Sequence, residues 1–400
     1  MVLMYADDTI ILADSEQNLQ LGLNALKAYC DTWKLDINCS KTKITIFSRS
    51  KINHSIYNFK YGNQVIETVD SYKYLGVILN YNGSFNLALD SLRSQASRAM
   101  FSLISKARRL DLPIDIQLQL FDSTVLPILL YGCEIWGYSN VSSLENLHLK
   151  FLKMLLGVHI KKCNSMVYGE LGRVPLNITI KQRVVGFWAR ILSGKDAKLT
   201  RLVYDQVRDM HTQNILKSDW LEFLTSTLAE CGMLNIWESN QIMSVNVLKS
   251  KVQHKLKENF IHKWSNDLSN MSSCDVYVNF KTNFALEPYL INLPHYLRLA
   301  FCRFRLSNTR LPKVLGRYTN TPRDQRFCTL CTMVEKLGDE FHLLFECNHP
   351  LIALLRDKYI PISYSNQPSM QKCVDLIGNE NLQLVRKLAL FLINSLKLLR

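Results

Sequence analysis

Met1-Val2-Leu3-Met4-Tyr5-Ala6-Asp7-Asp8-Thr9-Ile10-Ile11-Leu12-Ala13 opens the chain and decides its reading. Two adjacent carboxylates lie between apolar, strand-forming flanks, a pattern that predicts a β-hairpin with an acidic tip. Like charges repel at close range, so a bare pair of aspartates is a poor choice for a turn. A divalent cation removes that objection. Mg²⁺ favours carboxylates together with substrate phosphates, and two-metal phosphoryl-transfer sites are assembled from such groups. The tetrapeptide Tyr5–Asp8 by itself also fits an ordinary surface turn, so its surroundings carry the argument.

Residues 14–33 have helical spacing. Leu19, Leu23, Leu26, Cys30 and Trp33 form one apolar stripe, with Asp14 placed to cap the first turn and Gln17 as its reciprocal partner. Trp33-Lys34-Leu35-Asp36-Ile37-Asn38 and Ser40-Lys41-Thr42-Lys43 follow. Residues 42–48 read as a strand, Tyr61-Gly62-Asn63-Gln64 as a turn between strands, and 72–79 as a further strand that begins Tyr72-Lys73-Tyr74-Leu75-Gly76.

Taken in this order, these motifs resemble the palm-domain signature of reverse transcriptases, in particular those of non-LTR (LINE-type) retrotransposons. The likeness continues through the thumb and carboxy-terminal region to at least Cys347. It implies that Asp7 binds the catalytic Mg²⁺ ions and Asp8 supports them. The implied reaction is attack of a primer 3′-hydroxyl on the α-phosphate of a dNTP. Lys41 is implied in stabilising the departing pyrophosphate; as a bare residue it reads equally well as a solvated charge beside a strand. The Tyr72–Gly76 segment is implied to hold the primer end, with Tyr72 and Tyr74 on one face and Lys73 on the other. The implied partners are an RNA template and a DNA primer or target.

In this family a further metal-binding aspartate and the nucleotide-binding fingers precede the acidic turn, and many relatives carry an endonuclease before those. Only four residues precede Tyr5 here. The expectation is therefore the carboxy-terminal part of a polymerase, truncated by element decay or an incomplete gene model, which does not polymerise alone. The rival expectation is a non-catalytic RNA- or DNA-binding protein derived from such an element.

The rest of the chain reads as α-helical, giving an α+β class overall: partial palm 1–84, helical thumb 85–195, helical connector 196–292, basic segment and zinc module 293–350, carboxy-terminal helices 351–400. With 48% hydrophobic and 20% charged residues the chain is globular. Its apolar runs are too short to cross a bilayer, and its first residues lack a signal-peptide layout, so an intracellular protein of cytoplasm or nucleus is expected. The net charge of +14 favours a polyanionic partner.

That charge is unevenly placed. The first thumb helix carries Arg93 and Arg98 and ends in Lys106-Ala107-Arg108-Arg109; of these, Arg98, Arg108 and Arg109 are candidates for tracking duplex phosphates. Between 293 and 326, Arg298, Arg303, Arg305, Arg310, Lys313, Arg317, Arg323 and Arg326 oppose only Asp324, which gives half the net charge. His295, Tyr296, Phe301, Phe304 and Tyr318 are interleaved, as suits phosphate contact with base stacking. The competing reading is a basic helix whose aromatics face the core.

Cys328-x2-Cys331-x10-His342-x4-Cys347 follows. Most of the eleven cysteines sit in apolar contexts and read as buried thiols, but these four side chains supply the soft ligands of a structural Zn²⁺ site. They fit the variable CCHC motif near the carboxy end of non-LTR elements. His349, just beyond Cys347, competes with His342 for the histidine position.

Overall fold

The computed structural model describes residues 1–48, 57–194, 198–241, 243–271, 274–333 and 335–399. They form two compact units, Met1–Leu92 and Arg93–Arg400. The first holds short antiparallel strands and a helix, the second is helical, and the class is α+β.

In the first unit, strands β1 (Val2–Tyr5) and β2 (Asp8–Ile11) pair in register from Val2 with Ile11 to Tyr5 with Asp8. The ladder closes with reciprocal 2.8 Å bonds between Met1 and Leu12. Helix α1 (Glu16–Trp33) follows. Its cap is Ser15, not Asp14. Ser15 has extended backbone angles, and its hydroxyl accepts from the Asn18 amide at 3.2 Å, while Asp14 accepts from the Asn18 side chain at 2.7 Å. The apolar stripe ends at Cys30; Trp33 lies in solvent, 64% exposed.

The core of this unit is Leu23, Ile44, Phe59 and Ile66, with Ile11, Leu19 and Ile46 packed against it. The acidic hairpin is thus anchored by the apolar side chain that ends β2. Gly22 of α1 makes room for that contact, since a Cβ there would sit 3.1 Å from Ile11 Cγ2.

Among the described residues the named strands form three two-stranded antiparallel sheets. The expected strand 42–48 reduces to a single parallel bridge, Ile44 with Thr68, held by bonds from Ile44 N to Glu67 O and Val69 N to Ile44 O. Strands β3 (Lys60–Tyr61) and β4 (Gln64–Val65) flank the predicted Gly62-Asn63 turn. The expected strand 72–79 is a hairpin instead: β5 (Ser71–Tyr74) turns back into β6 (Val77–Asn80) through Leu75 and Gly76. Both turn residues have positive φ, 44° and 86°, as a type I′ hairpin turn requires.

Helix α2 (Asn86–Arg109) crosses the division between the units and buries Leu89, Leu92, Ala96, Met100, Ile104 and Ala107 along one face. In the second unit, helix Leu176–Leu192 is the central element. Helices Val245–Asn270, Asp219–Glu230 and Cys133–Trp136 pack on it, around the fully buried Trp136 and Trp188. Helix His295–Arg305 packs on Leu382–Leu396, which also receives Pro350–Tyr359. Between helices the chain turns at Gly132, which adopts φ 68°, and the Trp136 indole donates to Tyr131 O at 2.8 Å. Among the described residues no helix is long and apolar enough to cross a membrane.

Candidate functional site

The β1–β2 register leaves Ala6 and Asp7 as the turn and places Asp8 at the first position of the returning strand. Ala6 has φ 54°, a left-handed conformation that costs a residue with a Cβ about 1 kcal/mol. Both carboxylates are exposed, and among the described residues neither accepts a hydrogen bond or forms an ion pair. Nor does a third His, Cys, Asp or Glu donor lie with them, again among the described residues. Two oxygen-ligand groups are therefore presented to solvent side by side, as an incomplete cage suited to a hard cation.

Lys41 and Tyr72 belong to the same unit and meet. The Tyr72 phenol donates to the Lys41 carbonyl at 3.2 Å. Asn38 shapes the loop before it by accepting from Ser40 Oγ at 2.6 Å and Lys41 N at 3.1 Å. The Lys41 ammonium is exposed, whereas Lys43 is paired with Glu67 at 2.6 Å. On β5, Lys73 is exposed and Tyr74 half-buried. Among the described residues no hydrogen bond or ion pair joins Lys41, Tyr72, Lys73 or Tyr74 to Asp7 or Asp8.

In the second unit, Cys328, Cys331, His342 and Cys347 converge, with their ligand atoms all within 4.8 Å of one another. Tetrahedral Zn²⁺ with bonds near 2.1–2.3 Å sets its ligands roughly 3.6–3.8 Å apart, so the four fit this ion after a small contraction. His342, not His349, is the histidine of the group. The two cysteines of the close pair sit on a loop pinned by Cys328 N donating to Lys336 O at 2.7 Å and Gly338 N to Arg326 O at 2.9 Å. His342 opens a π-type turn, His342–Glu346, and Cys347 follows it. Nε2 of His342 faces Cys331 Sγ at 3.4 Å, and Nδ1 faces Glu346 Oε2 at 3.4 Å. A carboxylate behind the ring is the usual way a ligating histidine is oriented. Burial, with Cys328 and Cys331 beside it, pushes the Cys347 thiol up to about 12. A cation among the three sulfurs would reverse that preference.

The basic segment 293–326 does not form one exposed stripe. Arg305 is 3% exposed and fully engaged: Nε with Glu170 at 2.8 Å, Nη2 with Glu287 at 2.8 Å, Nη1 with Ile377 O at 2.8 Å. Tyr277 and Tyr289 donate to the same Glu170, at 2.8 and 2.6 Å. Arg298 is buried and donates to Leu290 O at 3.2 Å. Lys313 is buried between Glu340 and Asp275, at 2.9 and 3.3 Å. Arg305 and Lys313 face carboxylates distant in sequence and Arg298 meets a backbone carbonyl, so the two arginines expected on nucleic acid, Arg298 and Arg305, are buried at 7% and 3% exposure. Arg303 and Arg310 are exposed, as are Arg98, Arg108 and Arg109 on α2.

The larger electropositive feature went unread in the sequence. A cleft of about 1470 Å³ in the second unit is lined by seven Lys or Arg side chains and two carboxylates. Its cations come from helix Ser142–Leu156, the loop after it, helices Leu176–Leu192 and Val245–Asn270, and Arg317. The one local signal was the adjacent pair Lys161-Lys162.

Residues 1–79 match the reverse transcriptase (RNA-dependent DNA polymerase) family. The chain is 26% identical over 164 residues to the RNA-directed DNA polymerase from mobile element jockey of Drosophila melanogaster. The chain is related to the non-LTR reverse transcriptases. An uncharacterized transposon-derived protein of Caenorhabditis elegans is 26% identical over 210 residues, 50% of this chain and 75% of that relative. A Drosophila melanogaster protein named as a probable RNA-directed DNA polymerase from transposon BS is 26% identical over 155 residues. The matches to jockey and BS take in 39% and 36% of this chain but only 18% and 17% of those polymerases. No solved structure matches the chain. The reverse-transcriptase match ends at the β5–β6 hairpin and so contains Asp7, Asp8, Lys41 and Tyr72 together.

Proposed function

We propose that this chain is a piece of a non-LTR retrotransposon reverse transcriptase that keeps the metal-binding turn, primer grip, thumb and nucleic-acid-binding tail. The observation that carries the proposal is the Asp7–Asp8 hairpin: two solvent-facing carboxylates without a partner among the described residues, inside the segment that matches the family. In this reading Asp7 and Asp8 hold Mg²⁺, which when bound would activate a primer hydroxyl and neutralise the leaving pyrophosphate. Lys73 and the exposed edge of Tyr72 hold the primer backbone, and the phenol that ties Tyr72 to Lys41 sets the spacing between grip and lysine. Residues 1–84 are the partial palm, 85–195 the thumb, 196–292 a connector, and 351–400 closing helices.

Within 293–350, Cys328, Cys331, His342 and Cys347 hold Zn²⁺ as a structural staple. All four ligands are protein groups, which leaves no open position for catalysis. Arg303 and Arg310 on the surface, with Arg98, Arg108 and Arg109 of the thumb, remain the candidates for contact with an RNA template or DNA primer.

Among the described residues no third donor lies with the two carboxylates, which supports a further point: the 400 residues by themselves do not extend a primer. The test incubates the purified chain with template–primer, dNTP and Mg²⁺. Salt-sensitive binding without extension is expected. Extension abolished by Asp7→Ala would overturn the inactivity, and absence of any nucleic-acid binding would overturn the wider reading.

A further inference from the structure

The cleft of the second unit is rich in cations. Its lining sets seven cations against Glu230 and Asp267, and Glu230 is already paired with Lys181. Lys153 is 7% exposed, and its ammonium donates to two neutral acceptors, Ile160 O at 2.6 Å and Asn164 Oδ1 at 2.7 Å. Burying an ammonium is costly; Cys163 beside it offsets part of that cost, and a bound phosphate would offset more. Lys162 also lies in the cleft wall, where its Nζ reaches Ser307 O at 3.5 Å and Arg317 opposes its charge, against partial support from Cys163, Cys274 and Glu340. Lys161, on the loop after helix Ser142–Leu156, and Lys263, on helix Val245–Asn270, both line the cleft and are exposed.

Aromatic surface is interleaved with this charge. Tyr318 is 62% exposed on the rim, and Tyr168 and Phe260 meet edge-to-face at 5.8 Å in the wall. Phosphates alone would need only the lysines. An exposed ring beside a cluster of cations matches a strand whose bases are free to stack, which duplex bases are not.

The geometry points to this cleft as a binding site for single-stranded nucleic acid, formed wholly within the second unit and distinct from the Asp7–Asp8 turn. Lys153, Lys161, Lys162, Lys263 and Arg317 meet the phosphates, and Tyr318 stacks on a base at the rim. The inference rests on the reading that the chain handles nucleic acid, but it names residues that reading does not use.

The test is fluorescence anisotropy of a labelled twelve-residue oligo(dT) with the full chain, as wild type, Lys161→Glu/Lys263→Glu and, as a charge-reversal control outside the cleft, the exposed Arg386→Glu. Both lysines are exposed, so the double reversal is compatible with folding, and an unchanged melting curve verifies it. Expected is a loss of about tenfold or more in affinity and a shallower salt slope for the double lysine reversal, and no such loss for Arg386→Glu. Photocrosslinking of a thiothymidine-containing strand should label the peptide that holds Tyr318, including in Lys161→Ala/Lys263→Ala should the reversal fail to fold. Unchanged affinity in the lysine variants, or a label confined to other peptides, overturns the cleft while leaving the polymerase reading standing. Tighter binding of a duplex of equal length, lost equally on reversal, also overturns it. No binding by the wild type removes both.

Discussion

Arg305 Nε donates to Glu170 Oε1 across 2.8 Å, and both side chains are buried. The pair is completed by Tyr277, Tyr289 and Glu287, with the Arg305 guanidinium also lying 4.5 Å from the Phe280 ring centroid. Nearby carboxylates more than offset the burial of the guanidinium, whose pKa is raised above its ordinary value.

A buried charge stripped of its partner is costly. Arg305→Met is expected to destabilise the second unit by about 3–5 kcal/mol, because it leaves Glu170 uncompensated. Arg305→Met/Glu170→Gln should recover part of that loss. Chemical denaturation measures both. If Arg305→Met unfolds at the wild-type midpoint but loses oligonucleotide affinity, Arg305 is a nucleic-acid contact after all.

This network shows why part of the chain was legible and part was not. The acidic hairpin and the Cys-Cys-His-Cys set are short-range patterns: each is settled by residues a few positions apart, and turn chemistry or ligand chemistry explains them. Arg305 looked like a phosphate contact because its neighbours are basic, while its acid lies 135 residues away. Glu170 carried the missing signal, an isolated carboxylate in the apolar run Met166–Leu171. The 72–79 segment read as one strand because Leu75 rarely takes the positive φ that a tight turn demands. The cleft escaped because its lysines come from separate helices, and no window of sequence holds enough of them.

Zinc content separates the two candidate histidines. The purified chain is expected to carry one Zn²⁺, with His342→Ala and Cys331→Ser reducing it and His349→Ala leaving it at the wild-type level. Elemental analysis alongside thermal unfolding reads this directly. Chelation should lower the melting temperature, since binding free energy of a structural site is folding free energy. Equal zinc loss in both histidine variants would contradict the geometry.

The pH dependence of oligonucleotide binding follows from Lys162. Burial, with Arg317 beside it, holds this ammonium down to about 8 from an ordinary 10.5, against partial support from Cys163, Cys274 and Glu340. Between those values the unfolded chain binds more protons than the folded one, so Lys162 makes stability rise with pH in that window. Affinity for a polyanion runs the other way and should fall between pH 7 and 9 as the charge is lost. Cys163, lowered to about 5 chiefly by its contact with Cys274, is already ionised there and does not contribute to the change. Lys162→Met should flatten the profile; an unchanged slope in that variant would assign it elsewhere.

The central claim is that Asp7 and Asp8 form a seat for a divalent metal, and paramagnetic Mn²⁺ tests it at residue resolution. In isotope-labelled, zinc-loaded chain, Mn²⁺ should broaden the amide signals of residues 5–9 first. Excess Mg²⁺ should restore them, and Asp7→Asn/Asp8→Asn should abolish the effect. Signals of the hairpin that stay sharp, or broaden equally in the double variant, would contradict the account.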